Sequence, residues 1–207
     1  MHAMPRTLPM TDQILPLVLF CFVAGVTPGP NNLIAAASGS RFGFRRTVPQ
    51  MLGVAAGFPL LVIAIGMGLG SLFVAVPALH LALKLAGAAY LLYLAWSLLH
   101  ADAPDAGQGG AESAPSFLGS AAFQWVNPKA WTVALSVIPT FVDPARDVLA
   151  QVLTVALVFS VTALPSLALW AVFGVALSQL LCDEKLRRRV NGLLAASVAA
   201  SVLLLFF

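Results

Sequence analysis

Three long stretches of this chain carry no charged residue: Ile14–Ala37, Thr47–Leu83 and Val148–Cys182. A helix needs about 20 apolar residues to cross a bilayer core, so each stretch can span a membrane. The second is too long for one span and must turn back. Composition agrees, because 60% of the 207 residues are hydrophobic and only 9% are charged, against roughly 25% charged in soluble domains. No alternating pattern of the kind that marks transmembrane strands is visible. The first uncharged run is also too long for the apolar core of a cleavable signal. The fold class expected is therefore an all-α integral membrane protein with six transmembrane helices. The formal charge of +3 does not point to nucleic acid, since the basic residues sit in short segments beside spans and act as an orientation signal. Cys21 and Cys182 lie far apart without a CxxC, so neither a disulfide framework nor a metal site is implied.

Proline, glycine and charge divide the chain further. The first span runs to about Ala37 and is followed by Ser38–Arg46, read as a tight connection with three arginines. The second covers about 49–75, ending near Gly66–Ser71 and Pro77, and the third covers about 79–99. Residues 101–116 are rich in Gly, Pro, Ser and acids, a composition that cannot bury a core and reads as a flexible linker. It separates a first half, about 11–100, from a second half, about 117–207. The second half holds spans at about 117–141, Val148–Cys182 with a kink at Pro165, and Val190–Phe207, with Asp183–Arg189 read as a basic loop. Three spans per half is an odd number, so the halves enter the membrane from opposite sides as inverted repeats. Lys and Arg number seven in the loops on one side and two on the other. The positive-inside rule then places both termini outside.

The first helix of each half is interrupted. Thr27-Pro28-Gly29-Pro30-Asn31-Asn32 breaks one, and Asn127-Pro128-Lys129 breaks the other. Each proline removes a backbone donor and pushes its ring into the preceding turn. Such breaks are tolerated in a membrane only where the freed backbone groups are buried in protein or line a cavity. Interrupted segments at corresponding positions of two halves point to a midplane binding site in a secondary transporter. The expected substrate site is Pro28, Gly29, Pro30, Asn31, Asn127, Pro128 and Lys129. Half-helix N-termini present free amides and partial positive charge to an anion, and Lys129 adds a full charge. The alternative is a proline kink facing lipid and a lysine that snorkels to the headgroups past Trp125 and Trp131. Asn32, Gly53, Gly57, Tyr90 and Trp125 are read either as pathway lining or as helix packing. The four-residue spacing of Gly53 and Gly57 lets another helix approach closely.

The TPGPN motif at 27–31, Gly39-x-x-x-Gly43, Gly53-x-x-x-Gly57, the stretch Gly87–Trp96, NPKAW at 127–131 and IPTFVDP at 138–144 together resemble the lysine exporter (LysE/RhtB) family of bacterial amino-acid efflux proteins. The resemblance covers essentially the whole chain. It implies a six-helix exporter of the cytoplasmic (inner) membrane, without a cofactor, driven by a proton or other ion gradient and forming a homodimer. Family members that export lysine or arginine carry an aspartate in the second span. Here the matching stretch is Gly57-Phe58-Pro59-Leu60, and no Asp or Glu lies in any assigned span. The expected substrate is therefore a neutral amino acid of the threonine, homoserine or leucine kind. An enzyme is the first rival, but His2, His80 and His100 all lie near span ends, no GxSxG occurs, and Cys21 lacks the partner a redox carrier needs. A structural or assembly protein is the second, and it gives no reason for two broken, asparagine-bearing helices.

Overall fold

The computed structural model describes residues 10–71, 76–99, 114–180 and 184–203. Among them are eight α-helices and one π-helical turn, with no strand. These are α1 (Met10–Val26), α2 (Pro30–Phe42), α3 (Phe44–Ala64), α4 (Pro77–Leu99), α5 (Phe117–Phe123), α6 (Pro128–Phe141), α7 (Val148–Leu180) and α8 (Glu184–Leu203). The π turn, Ile65–Leu69, extends α3. Phe44–Leu69 and Val148–Ser178 are each long and apolar enough to cross a membrane, and a bent pair of helices, Gln13–Val26 with Pro30–Phe42, makes a third candidate span. The α5–α6 pair, α4 and α8 fall where the remaining spans were expected. Large apolar side chains such as Leu15, Leu60, Leu118, Leu157 and Leu169 face outward, each more than half exposed. A surface of that kind suits lipid, because soluble monomers rarely expose extensive apolar patches.

The expected breaks are present. α1 ends at Val26 and α2 starts at Pro30, turned by 57°. α5 ends at Phe123 and α6 starts at Pro128. Both second segments begin with proline at the first helical position, where its missing N–H would have had no intrahelical partner anyway.

Two connections differ from the expectation. Ser38–Arg46 is not a loop: α2 runs to Phe42 and α3 begins at Phe44. A single residue, Gly43, makes the turn with φ 79°, a left-handed value that glycine adopts without penalty. Thr47 Oγ1 donates to the Gly43 carbonyl at 3.0 Å and closes that turn from α3. Arg45 and Arg46 therefore lie in the first turn of α3, which starts five residues before position 49. Likewise the basic stretch after Asp183 is helical from Glu184 onward. Near the other end of α3, Gly68 at φ 106° marks the expected end of the second span. The linker up to residue 113, Cys182 and Asp183, and the chain end from residue 204 lie outside the described residues.

The long helix α7 forms the centre, packed by α1, α2 and α3, while α4 packs against α8 and α5 against α3. One core, built from Leu17, Phe58, Leu61, Val137, Val155 and Phe159 among others, joins α1, α3, α6 and α7. Phe58 and Phe159 meet edge to face at 4.7 Å. Close crossings depend on glycine. A Cβ on Gly39 would lie 2.2 Å from the Ala171 carbonyl oxygen, and one on Gly174 would lie 1.9 Å from that of Ala36. These two residues let α2 and α7 touch backbone to backbone. Around Pro165, α7 remains helical, with Thr162 and Ser166 hydroxyls donating to the carbonyls of Val158 and Thr162 at 2.8 and 2.9 Å.

Candidate functional site

Loss of amides at Pro28 and Pro30 leaves the carbonyls of the last turn of α1 without helical partners. Side chains from three other elements meet them. Asn32 is 4% exposed, and its Nδ2 donates to the Gly25, Val26 and Thr27 carbonyls at 2.9, 3.3 and 2.8 Å. Trp170 Nε1, from α7, donates to the Val26 carbonyl at 3.0 Å. Lys129, from the first turn of α6, places its Nζ on the Thr27 carbonyl.

The second break has its own local logic. Amides of Gln124, Trp125 and Val126 each reach back three residues, to Ala121, Ala122 and Phe123, which tightens the end of α5. Asn127, 1% exposed, then caps α6 by accepting from the Lys129 amide at 3.1 Å, as an N-cap asparagine does.

The two breaks meet. Asn31 Nδ2 donates to Gln124 Oε1 at 2.8 Å, and Gln124 Nε2 donates back to Asn31 Oδ1 at 3.1 Å. Gln124 is fully buried and also donates to the Ser120 carbonyl at 2.8 Å. A third amide joins from α3: Gln50, 1% exposed, donates through Nε2 to the Asn31 carbonyl at 3.2 Å, while its Oε1 has no partner. Beside this pair lies a cavity lined by Cys21, Gly29, Asn31, Asn32, Gln124, Asn127, Lys129 and Ser166, with Phe58, Phe159 and Leu167 among its apolar walls. Lys129 carries the one formal charge among the residues lining it.

Of the residues expected from the sequence, Gly29, Asn31, Asn32, Asn127 and Lys129 line this cavity. Pro28, Pro30 and Pro128 do not; they shape the breaks. Gly53 and Gly57 pack helices: a Cβ on Gly53 would lie 2.3 Å from the Phe117 carbonyl oxygen, and one on Gly57 would lie 2.5 Å from Ala121 Cα. Tyr90 stacks on Phe123 at 4.8 Å, and Trp125 joins the edge of the first core, its carbonyl accepting from Trp131 Nε1 at 2.8 Å. Lys129 is partly buried, with its ammonium on the Thr27 carbonyl. Gln50 and Gln124 were missed, although each carries the signal that flagged Asn31, an uncharged polar group in an apolar run.

The family can now be stated. Residues 22–207 match the family model of the LysE type translocator. The chain belongs to the LysE type translocator family. Proteins named cysteine/O-acetylserine efflux protein from Escherichia coli strain K12, Escherichia coli O6:K15:H31 and Shigella flexneri are each 31% identical to it over 189 residues, covering 91% of this chain and 94% of theirs. No solved structure matches the chain. As a LysE-family membrane protein of the amino-acid efflux type, it stands with transporters rather than enzymes.

Proposed function

We propose that this LysE-family transporter exports small neutral amino acids, of the cysteine, O-acetylserine, threonine or homoserine size, across the cytoplasmic membrane. The observation that carries the reading is the cavity between the two breaks, lined by Lys129 and amide side chains and, among the described residues, by no carboxylate. A cationic side chain buried there would need a negative partner, because an uncompensated charge in such a place costs several kcal/mol. A carboxylate finds Lys129 instead. The cavity has a volume of about 60 Å³, which favours a small solute. The relatives' names point the same way, toward cysteine and O-acetylserine.

The broader architecture belongs to the same proposal. Six spans in two inverted repeats are supported by the broken helix that opens each half and by the amide pair that joins the breaks. Both termini lie outside by the positive-inside rule. The family supports secondary-active export with the proton as coupling ion, and a homodimer in the bilayer. The test is competition in inside-out vesicles carrying this protein. Uptake of labelled cysteine should be blocked by O-acetylserine, threonine and homoserine and left unchanged by lysine and arginine. Inhibition by lysine and arginine, with none by the neutral amino acids, would overturn the charge argument.

A further inference from the structure

We propose that the Thr27 carbonyl is the subsite for the substrate's α-ammonium group, and that Lys129 occupies it as a tethered ammonium while the carrier is empty. The inference rests on the reading of the cavity as an amino-acid site. Lys129 was expected to meet the substrate's anionic group, and the ammonium group needs oxygen acceptors, which the carbonyls freed by the prolines offer. Those carbonyls are not equivalent. Gly25 accepts from Asn32 Nδ2, whereas Val26 accepts from Asn32 and Trp170 and Thr27 from Asn32 and Lys129. A carbonyl oxygen has two lone pairs, so Thr27 is already full.

The identity of its two donors is what matters. Asn32 is buried and also fastened to the neighbouring carbonyls at 2.9 and 3.3 Å, so it cannot leave without opening the end of α1. Lys129 holds Thr27 through a single bond at the tip of a flexible stem. Its stem crosses Gly29, where a Cβ would lie 2.5 Å from Lys129 Cδ. Glycine at 29 therefore provides the groove in which the lysine lies down. The backbone there has φ −174°, an extended value open to any residue, so conformation does not demand glycine; the lysine stem does.

Thr27 is exposed and accepts from the ammonium of Lys129, which lines the cavity together with Gly25, Gly29, Asn31 and Asn32. An entering zwitterion brings both charges to this place. Its ammonium takes the lysine's position on Thr27, which keeps the carbonyl at two donors. The released Lys129 ammonium turns to the substrate carboxylate. Every charge-assisted bond lost is replaced, so exchange proceeds without leaving the Thr27 carbonyl or either ammonium unpaired. A primary amine that lacks the carboxylate can take Thr27 but leaves Lys129 without an anion, and an acid that lacks the amine leaves Lys129 on Thr27. Selectivity for a zwitterion thus follows from one lysine having two destinations.

The test uses the full-length protein in proteoliposomes, with inhibition of labelled cysteine transport by cysteamine, the carboxylate-free amine, as the probe. Wild type should be inhibited by cysteine and only weakly by cysteamine. In Lys129→Met, cysteine should bind about 10-fold or more weakly, while cysteamine should gain about 10-fold, because its ammonium meets a vacant carbonyl. Binding is read by displacement if transport is lost. Gly29→Ala provides the second reading, since it crowds the lysine stem off Thr27 without removing the charge; cysteamine should gain relative to cysteine there too. Loss of cysteine and cysteamine binding together in both variants would overturn the inference, as would cysteamine inhibition unchanged from wild type. A wild-type protein that binds no neutral amino acid would instead refute the functional reading on which it rests.

Discussion

Replacing Gly57 by alanine should disable transport from outside the cavity. Gly57 does not line the site. Its new Cβ would lie 2.5 Å from both the Cα and the carbonyl oxygen of Ala121 on α5, about 1 Å inside ordinary contact. Both partners are backbone, so no side chain can swing aside and α5 must withdraw. Gln124 follows α5 by one residue, and its reciprocal bonds with Asn31 are 2.8 and 3.1 Å long. A withdrawal of about 1 Å takes both beyond the ~3.5 Å at which a hydrogen bond is lost. Overpacking costs about 1–3 kcal/mol, and two bonds at about 1 kcal/mol each add to that, so destabilisation of about 3–5 kcal/mol is expected. Gly192→Ala is the control, because nothing lies within 4 Å of a Cβ there and alanine in a helix gains about 0.5–1 kcal/mol over glycine. Thermal unfolding in detergent and cysteine uptake by inside-out vesicles should be measured on the same preparations. Gly57→Ala should unfold earlier and lose at least about 10-fold in uptake, while Gly192→Ala keeps both. Normal stability and uptake in Gly57→Ala would refute the chain of reasoning from glycine to helix position to amide pair.

Two further outcomes follow from the same geometry. Asn31→Leu and Gln124→Leu should each cost about 1–3 kcal/mol, since each orphans a polar partner, and the double variant should be no worse than the poorer single; strict additivity in a double-mutant cycle would show that the pair is not coupled. Reporter fusions in the linker at 101–116 and after Arg189 should report the cytoplasm, and one after Phe207 the outside; a cytoplasmic C-terminus would contradict the six-span inverted arrangement.

The breaks were legible because proline and glycine act locally, wherever they stand in the fold. The glycine pair at Gly53 and Gly57 was legible as a close approach, but its partner was not. That partner, α5, lies more than sixty residues away in a different half, and nothing in a single sequence ties the two together. The same limit hid Gln124, whose pairing with Asn31 spans 93 residues. Asn32 was seen as a polar group beside a break, while its work of holding three carbonyls depends on a 57° bend that composition does not encode. Connections were overestimated in length because arginine was read as a loop residue. At Gly43 one left-handed residue suffices, and the arginines that follow lie on helix.

The central claim, that the two breaks build one site for a neutral amino acid, is tested most directly by ligand-induced stabilisation of the purified protein. At a ligand concentration of 100 times Kd, a site in the folded state adds about 2.7 kcal/mol. Cysteine or O-acetylserine should raise the melting temperature of wild type, lysine should not, and the shift should fall by about half or more in Asn31→Leu and Lys129→Met. A shift with lysine alone, or an undiminished shift with cysteine in both variants, would contradict the account.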